Sequence, residues 1–133
     1  MRYLDIHYPI RPINQKYAER VAEWLNKRFF IKPGKILDIG CGRCYYTNGF
    51  KKLGFEISAC DIEPEENPFD IKVDKVDLEK DKLPYNDTYF DYIFCNAVLE
   101  HLGDPHLMLS EMKRVLKNGG SAFILTTNWK KIL

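Results

Sequence analysis

Asp38, Gly40 and Gly42 stand within KILDIGCGRCYYT, residues 35–47, where an aliphatic run ends in an acid and passes into a glycine-rich turn. Glycines placed there let the backbone turn sharply and come close to a ligand, and a helix start just beyond offers unpaired N–H groups. A dinucleotide loop uses the same device, but its G-x-G-x-x-G spacing would put the last glycine at position 45, which is Tyr45. Asp38 also sits two residues before the first glycine. A carboxylate at that point repels a pyrophosphate and suits a ligand carrying positive charge.

Further polar residues close later apolar runs. Asp61 ends EISACD, where an acid can accept both hydroxyl hydrogens of a ribose; Asp77 lies in VDL and Asn96 follows YIFC. Each alone is an ordinary loop or cap residue. Together they would form a line across one edge of a sheet.

Cys41 and Cys44 form CGRC in the same stretch, and a strand-to-helix junction is also where redox pairs sit. A redox function leaves Asp38, Gly40, Asp61 and Asp77 unexplained, and no cis-proline candidate is placed before a later strand to complete it. Four thiolates, with Cys60 and Cys95, suffice for zinc, but only one close pair exists, so Cys60 and Cys95 read as small core residues and no metal site is expected. His101 in LEHLGD falls just after Asn96, where an imidazole could act as general base toward an acceptor proton; the competing role is a loop residue bonding a carbonyl. Glu100 beside it is similar in kind. His106 and Asp104 do not add convincing metal spacing.

The elements that would carry these residues follow from periodicity. Residues 14–30 place Tyr17, Val21, Trp24, Leu25 and Phe29 at helical spacing, and KPG ends that helix. KILDIG is a short buried strand; CYYTNGFKKLG is helical and closed by Gly54; EISACDI is a second strand, IKVDKVDL a weaker third and YFDYIFCNAV a fourth. GDPHLMLSEMKRVLKNGG predicts a helix with Asp104 as cap, Pro105 in the first turn, apolar positions at Leu109, Met112, Val115 and Leu116, and a double-glycine stop before SAFILTT, the fifth strand. Strands separated by helix-length segments pair in parallel through right-handed crossovers. The expected fold is α/β, a doubly wound, mostly parallel sheet of about five strands with helices on both faces, binding its ligand beyond the carboxyl ends of the strands.

The chain of 133 residues is one domain in size, and 45% hydrophobic with 29% charged residues places it among globular proteins rather than disordered ones. A net charge of +1 gives no global field for nucleic acid or an acidic membrane. Basic residues dominate the first fifty positions and acids residues 63–91, a pattern that fits a solvated face better than a steering patch. No run is long and apolar enough to span a bilayer and the N-terminus lacks a leader pattern, so the expectation is a cytoplasmic protein with reduced cysteines.

ILDIGCGRC, ISACDIEP, VDLEKDKLPYNDTYFDYIFCNAVLEHLGDP and MLSEMKRVLKNGGSAFI together resemble class I S-adenosylmethionine-dependent methyltransferases, in the branch of the ubiquinone and menaquinone biosynthesis enzymes. The resemblance runs from about Lys35 to Thr126 and implies a Rossmann-like core. It further implies that Asp38, Gly40 and Gly42, with Cys41 in the same loop, hold the methionine part of the cofactor, Asp38 on the ammonium side. Asp61 would take the ribose hydroxyls with Ile62 against the adenine, Asp77 and the Leu78 backbone would reach the adenine amino group, and Asn96 would line the sulfonium end. The acceptor implied is a small molecule. The absence of an NPPY-like run after Asn96, where Ala97, Val98 and Leu99 follow, disfavours nucleic-acid amine acceptors.

The resemblance carries two departures. Cys44 stands where the family has a third glycine. The family's sheet also has two more strands, normally an antiparallel pair beside the fifth, so this chain is expected to be a fragment, a unit whose fifth-strand edge a second copy or other partner covers, or a non-catalytic binding module. The expected organisation is a single domain, residues 1–32 a helical lid segment and 33–133 the core. Tyr3, His7, Tyr8, Arg11 and Tyr17 are the lid candidates, with a tether packing on the sheet as the alternative.

Overall fold

A computed structural model of the protein describes residues 12–126. Its elements are α1 (Pro12–Arg28), β1 (Lys35–Ile39), α2 (Tyr45–Lys52), β2 (Glu56–Asp61), β3 (Asp74–Lys75), β4 (Phe90–Asn96), a 3-10 turn (Leu99–His101), α3 (His106–Val115) and β5 (Leu116–Leu125). The strands form one sheet in the order β3-β2-β1-β4-β5, every pair parallel. The chain steps outward from β1 to β3 and then returns to the other side for β4. The strand order therefore reverses between β1 and β4, where an open sheet leaves a crevice.

Alternation along the strands sets the two faces. Ile36 of β1 and Phe94 of β4 pack with Ala22 and Leu25 of α1 and Phe50 of α2. Leu37, Ile39, Ile93 and Cys95 point the other way and pack with Met108, Met112 and Val115 of α3. Cys60 joins that second cluster and is fully buried. Helices therefore cover both faces, as a doubly wound sheet requires.

The first helix turns a different stripe inward from the one its large residues suggest. Tyr17, Trp24 and Phe29 are 63%, 44% and 52% exposed, while Ala18, Ala22 and Leu25 are buried. Close approach is the reason: a Cβ on Gly49 of α2 would stand 3.0 Å from Ala22 Cβ and 3.3 Å from the Ala18 carbonyl. Two small residues and a glycine let α1 and α2 pack almost backbone to backbone, which larger side chains would prevent.

Three boundaries also move. The third strand shrinks to Asp74–Lys75, which pair only Cys60 and Asp61 of β2, while Ile71, Val76 and Leu78 on either side are buried outside the ladder. Leu116, expected on the helix, opens β5 instead, and the double glycine is a bulge within the strand: Leu116 pairs Phe90 and Ser121 pairs Tyr92, with Gly119 at φ +81°. Pro105 is the N-cap of α3 rather than its first residue, and Asp104 Oδ1 accepts the His106 N–H at 3.0 Å. Gly54, at φ +92°, closes α2 as expected, its N–H donating to the Lys51 carbonyl.

One polar network ties the β3–β4 connection to α3. Glu111, 5% exposed, accepts the Leu83 N–H at 2.8 Å and both Nε and Nη2 of Arg114. Arg114 in turn donates to the carbonyls of Leu83 and Tyr85 and to Asp87. No helix among the described residues is long and apolar enough to cross a membrane.

Candidate functional site

Each strand entering the crevice delivers one or two polar groups. At the end of β1 the backbone turns at Gly40, φ +70°, whose N–H donates to the Cys60 carbonyl at 2.8 Å. A Cβ on Gly40 would run into Val98 Cγ2 from the far side of the crevice, so the turn and the β4 loop meet only because the residue is glycine. Gly42 is also left-handed, at φ +53°, and donates its N–H to Asp61 Oδ2 at 2.9 Å. The carboxylate that ends β2 thus holds the glycine turn in place. Its other oxygen accepts the Glu63 N–H at 3.1 Å, and each oxygen keeps a lone pair for a further donor.

Cys44 occupies the left-handed region too, at φ 65° and ψ 25°, as the residue preceding α2. The family's glycine position is conformationally intact although its residue is not, at a strain of about 1–2 kcal/mol for a side chain there. Cys41 and Cys44 approach with sulfurs 3.7 Å apart, and both are buried thiols. The hydrogen bond from Cys44, then burial, push the Cys41 thiol far up. A reactive redox pair needs the opposite, a thiolate favoured at neutral pH.

Asp38 is the buried acid of the site, 3% exposed. Thr47 Oγ1 of α2 donates to its Oδ2 at 2.7 Å. Burial, reinforced by the nearby Asp61 charge, outweighs that bond and pushes the carboxyl up to about 7. The group is an acid waiting for a positive partner.

On the adenine side of the expected arrangement, Asp77 Oδ1 accepts the Glu79 N–H at 3.0 Å, Leu78 is buried in the core, and Ile62 is 54% exposed. Across the crevice Asn96 ends β4, and Ala97 follows at φ 59° with its N–H on the Leu125 carbonyl. His101 lies on the 3-10 turn, its N–H donating to the Val98 carbonyl at 3.0 Å.

All ten residues singled out in the sequence line one cavity of about 430 Å³: Asp38, Gly40, Cys41, Gly42, Asp61, Ile62, Asp77, Leu78, Asn96 and His101. Its walls include groups that the reading of motifs did not select. Arg43 and Glu65 form a largely buried ion pair at 3.3 Å between the glycine turn and the segment after β2. Glu63 and Glu79 add carboxylates, and Tyr45, Tyr46, Phe94, Val98 and Leu102 make the remaining wall apolar. Arg43 follows Gly42 and Glu63 and Glu65 stand two and four residues after Asp61, so proximity in sequence was the available signal. Six carboxylates against Arg43 make the lining acidic.

Among the described residues no group of three His, Cys, Asp or Glu side chains could hold a metal ion. Tyr3, His7, Tyr8 and Arg11, the other lid candidates, lie outside the described residues. Tyr17 is on α1 and exposed.

Residues 37–124 match a family described as methyltransferase domain. The chain is 29% identical to the ubiquinone biosynthesis O-methyltransferase of Xylella fastidiosa, over 93% of this chain and 54% of that protein. With the same enzyme of Xanthomonas oryzae pv. oryzae it shares 27% identity, over 96% of this chain and 56% of that one. The chain thus spans about half the length of these relatives. Among solved structures, the PH0226 protein of Pyrococcus horikoshii superposes with a TM-score of 0.77 at 25% identity, covering 98% of this chain and 68% of that one. A SAM-dependent methyltransferase from Aquifex aeolicus gives 0.59 at 28% identity, covering 81% and 68%. With its glycine turn, its strand order and most of its length inside the match, this chain belongs to the methyltransferase domain family.

Proposed function

We infer that this domain binds S-adenosylmethionine in the cavity at the β1/β4 switch point and transfers its methyl group to a small-molecule acceptor. The observation that carries the inference is Asp38: a buried carboxyl, with no cationic partner among the described residues, beneath a glycine turn that leaves no room for a Cβ. The cofactor's ammonium and sulfonium charges suit an acidic lining, and its single carboxylate asks for no diphosphate cradle. A cavity of about 430 Å³ accommodates one ligand of that size.

The residues divide the work by position. Asp38 takes the ammonium, and the Gly40 and Gly42 backbone lets the amino-acid portion lie against the turn. Asp61, held by the Gly42 and Glu63 N–H groups, presents its free lone pairs to the ribose hydroxyls. Ile62 and Leu78 flank the base and Asp77 accepts from its amino group. When bound, the cofactor supplies an electrophilic methyl carbon with a neutral thioether as leaving group. The protein's share is alignment, which holds the acceptor in line and excludes water. Asn96, Phe94, Val98 and Leu102 form the end from which an acceptor approaches, and His101 is placed there to take its proton.

The Xylella and Xanthomonas relatives are named as ubiquinone biosynthesis O-methyltransferases, and the apolar wall of Tyr46, Phe94, Val98 and Leu102 favours an aromatic hydroxyl compound as acceptor. S-adenosylhomocysteine at about 100 times its Kd is expected to stabilise the folded chain by about 2.7 kcal/mol, read as a rise in melting temperature. Asp61→Ala should abolish the rise. No shift in the wild-type chain at millimolar ligand rejects the assignment.

A further inference from the structure

The turn carrying His101 and the turn carrying Asp77 belong to different crossovers, yet one carboxylate joins them. Glu79 Oε1 accepts the N–H of Gly103 and, at 3.2 Å, the N–H of Asp104. The N–H of Glu79 itself donates to Asp77 Oδ1 at 3.0 Å. Both Glu79 and His101 line the cavity. Gly103 is matched to the contact, since a Cβ there would stand 3.2 Å from Glu79 Oε1 and crowd it.

The two sides of the His101 turn are anchored differently. Leu99 and Leu102 pack against the core cluster and fix its inner side. Its outward end, two residues past His101, hangs from Glu79, which is exposed to solvent. Charge-assisted bonds to two backbone N–H groups hold geometry well, but in solvent they add little to global stability. Their effect is therefore local. A ligand drawing on the Asp77 carboxylate would move the acceptor of the Glu79 N–H, and Glu79 is the residue that holds Gly103 and Asp104.

We propose that Glu79 is a positioning residue that couples occupancy of the Asp77 side of the cavity to the placement of His101 on the acceptor side. The proposal rests on the function inferred above. By linkage the coupling is reciprocal, so an acceptor-side ligand that engages His101 tightens the cofactor side by the same factor. Binding is then ordered in effect, with the cofactor preparing the turn that receives the acceptor.

The test uses the whole chain with S-adenosylhomocysteine as probe and reads the His101 imidazole by NMR together with amide exchange at Gly103 and Asp104. In the wild type, saturating ligand should shift the imidazole resonance and slow exchange at both amides about fivefold or more, the low end of ordinary site-to-site coupling. Glu79→Ala should lose both responses at ligand concentrations that saturate that variant. Glu79→Gln, which keeps an acceptor oxygen without the charge, should recover part of them. An imidazole response in Glu79→Ala equal to the wild type overturns the proposal, as does a wild-type protein that binds ligand with His101 and both amides unmoved. The wild-type amide measurement decides the matter even where the alanine variant fails to fold. Absence of any ligand binding by the wild type overturns the inferred function as well, and so separates the two failures.

Discussion

Asp38 titrates where binding is ordinarily measured. Its carboxyl ionises at the ordinary 3.8 in the unfolded chain and at about 7 in the folded one, chiefly through burial. Between those values the native state holds a proton that the unfolded state has lost, so stability falls as pH rises from about 4 to about 7, by roughly 4 kcal/mol in all. Asp38→Asn, which can still accept from Thr47, should therefore stabilise the ligand-free protein at pH 7–8 and flatten that dependence in urea unfolding. Binding runs with the opposite sign. A cation beside Asp38 lowers its bound-state pKa, so affinity for S-adenosylhomocysteine should climb up to tenfold per pH unit toward about 7 and level off above it. Calorimetry showing a flat profile for the wild type would remove Asp38 from the ammonium site. Gly40 makes a second test: Gly40→Ala adds left-handed strain and the overlap with Val98, together about 2–4 kcal/mol, and Val98→Ala beside it should recover the steric part. Asp38, Gly40, Gly42, Asp61, Asp77 and Asn96 were legible in the sequence because each closes an apolar run, and parallel strands bring such ends to one edge. The Arg43–Glu65 pair was not legible, since it depends on two loops meeting through space.

At the level of elements, the clasp of Glu111 and Arg114 ties α3 to the β3–β4 connection. Glu111→Ala leaves the Leu83 N–H and the Arg114 guanidinium without their acceptor in a buried setting, a loss of about 2–4 kcal/mol expected in denaturant titration. Arg114 first, and the Leu83 N–H after burial, hold the Glu111 carboxyl below its usual range. Its contribution is present above about pH 4.5 and lost as pH falls further, so wild type and Glu111→Gln should converge in stability in acid. The sequence located β1, β2 and β4 well because their apolar residues are continuous. It misplaced the inward stripe of α1, where size suggested Tyr17, Trp24 and Phe29 and packing distance selected Ala18 and Ala22. The bulge in β5 escaped it as well, because a double glycine after a helix reads as a stop and nothing local distinguishes it from a kink within a strand.

For the molecule as a whole, the sheet's unpaired side matters most. Among the described residues no strand pairs with the outer edge of β5, and Ile124 and Leu125 are 37% and 51% exposed there. Phe123 extends the apolar area by packing edge-on to Trp24, with their centroids 6.4 Å apart, and Phe29 lies against both. Residues 118–125 carry no charge to deter pairing. Self-association of this chain is expected to rise with concentration in sedimentation velocity, and Ile124→Lys should weaken it while leaving the ligand-induced thermal shift unchanged. A monomer at every concentration would count against β5 as an association edge.

Among the described residues, all that line the cavity fall between Asp38 and Leu102. The chamber is thus carried by one continuous stretch from β1 through the 3-10 turn, and substitutions confined to α1 or β5 can be made with no lining side chain replaced.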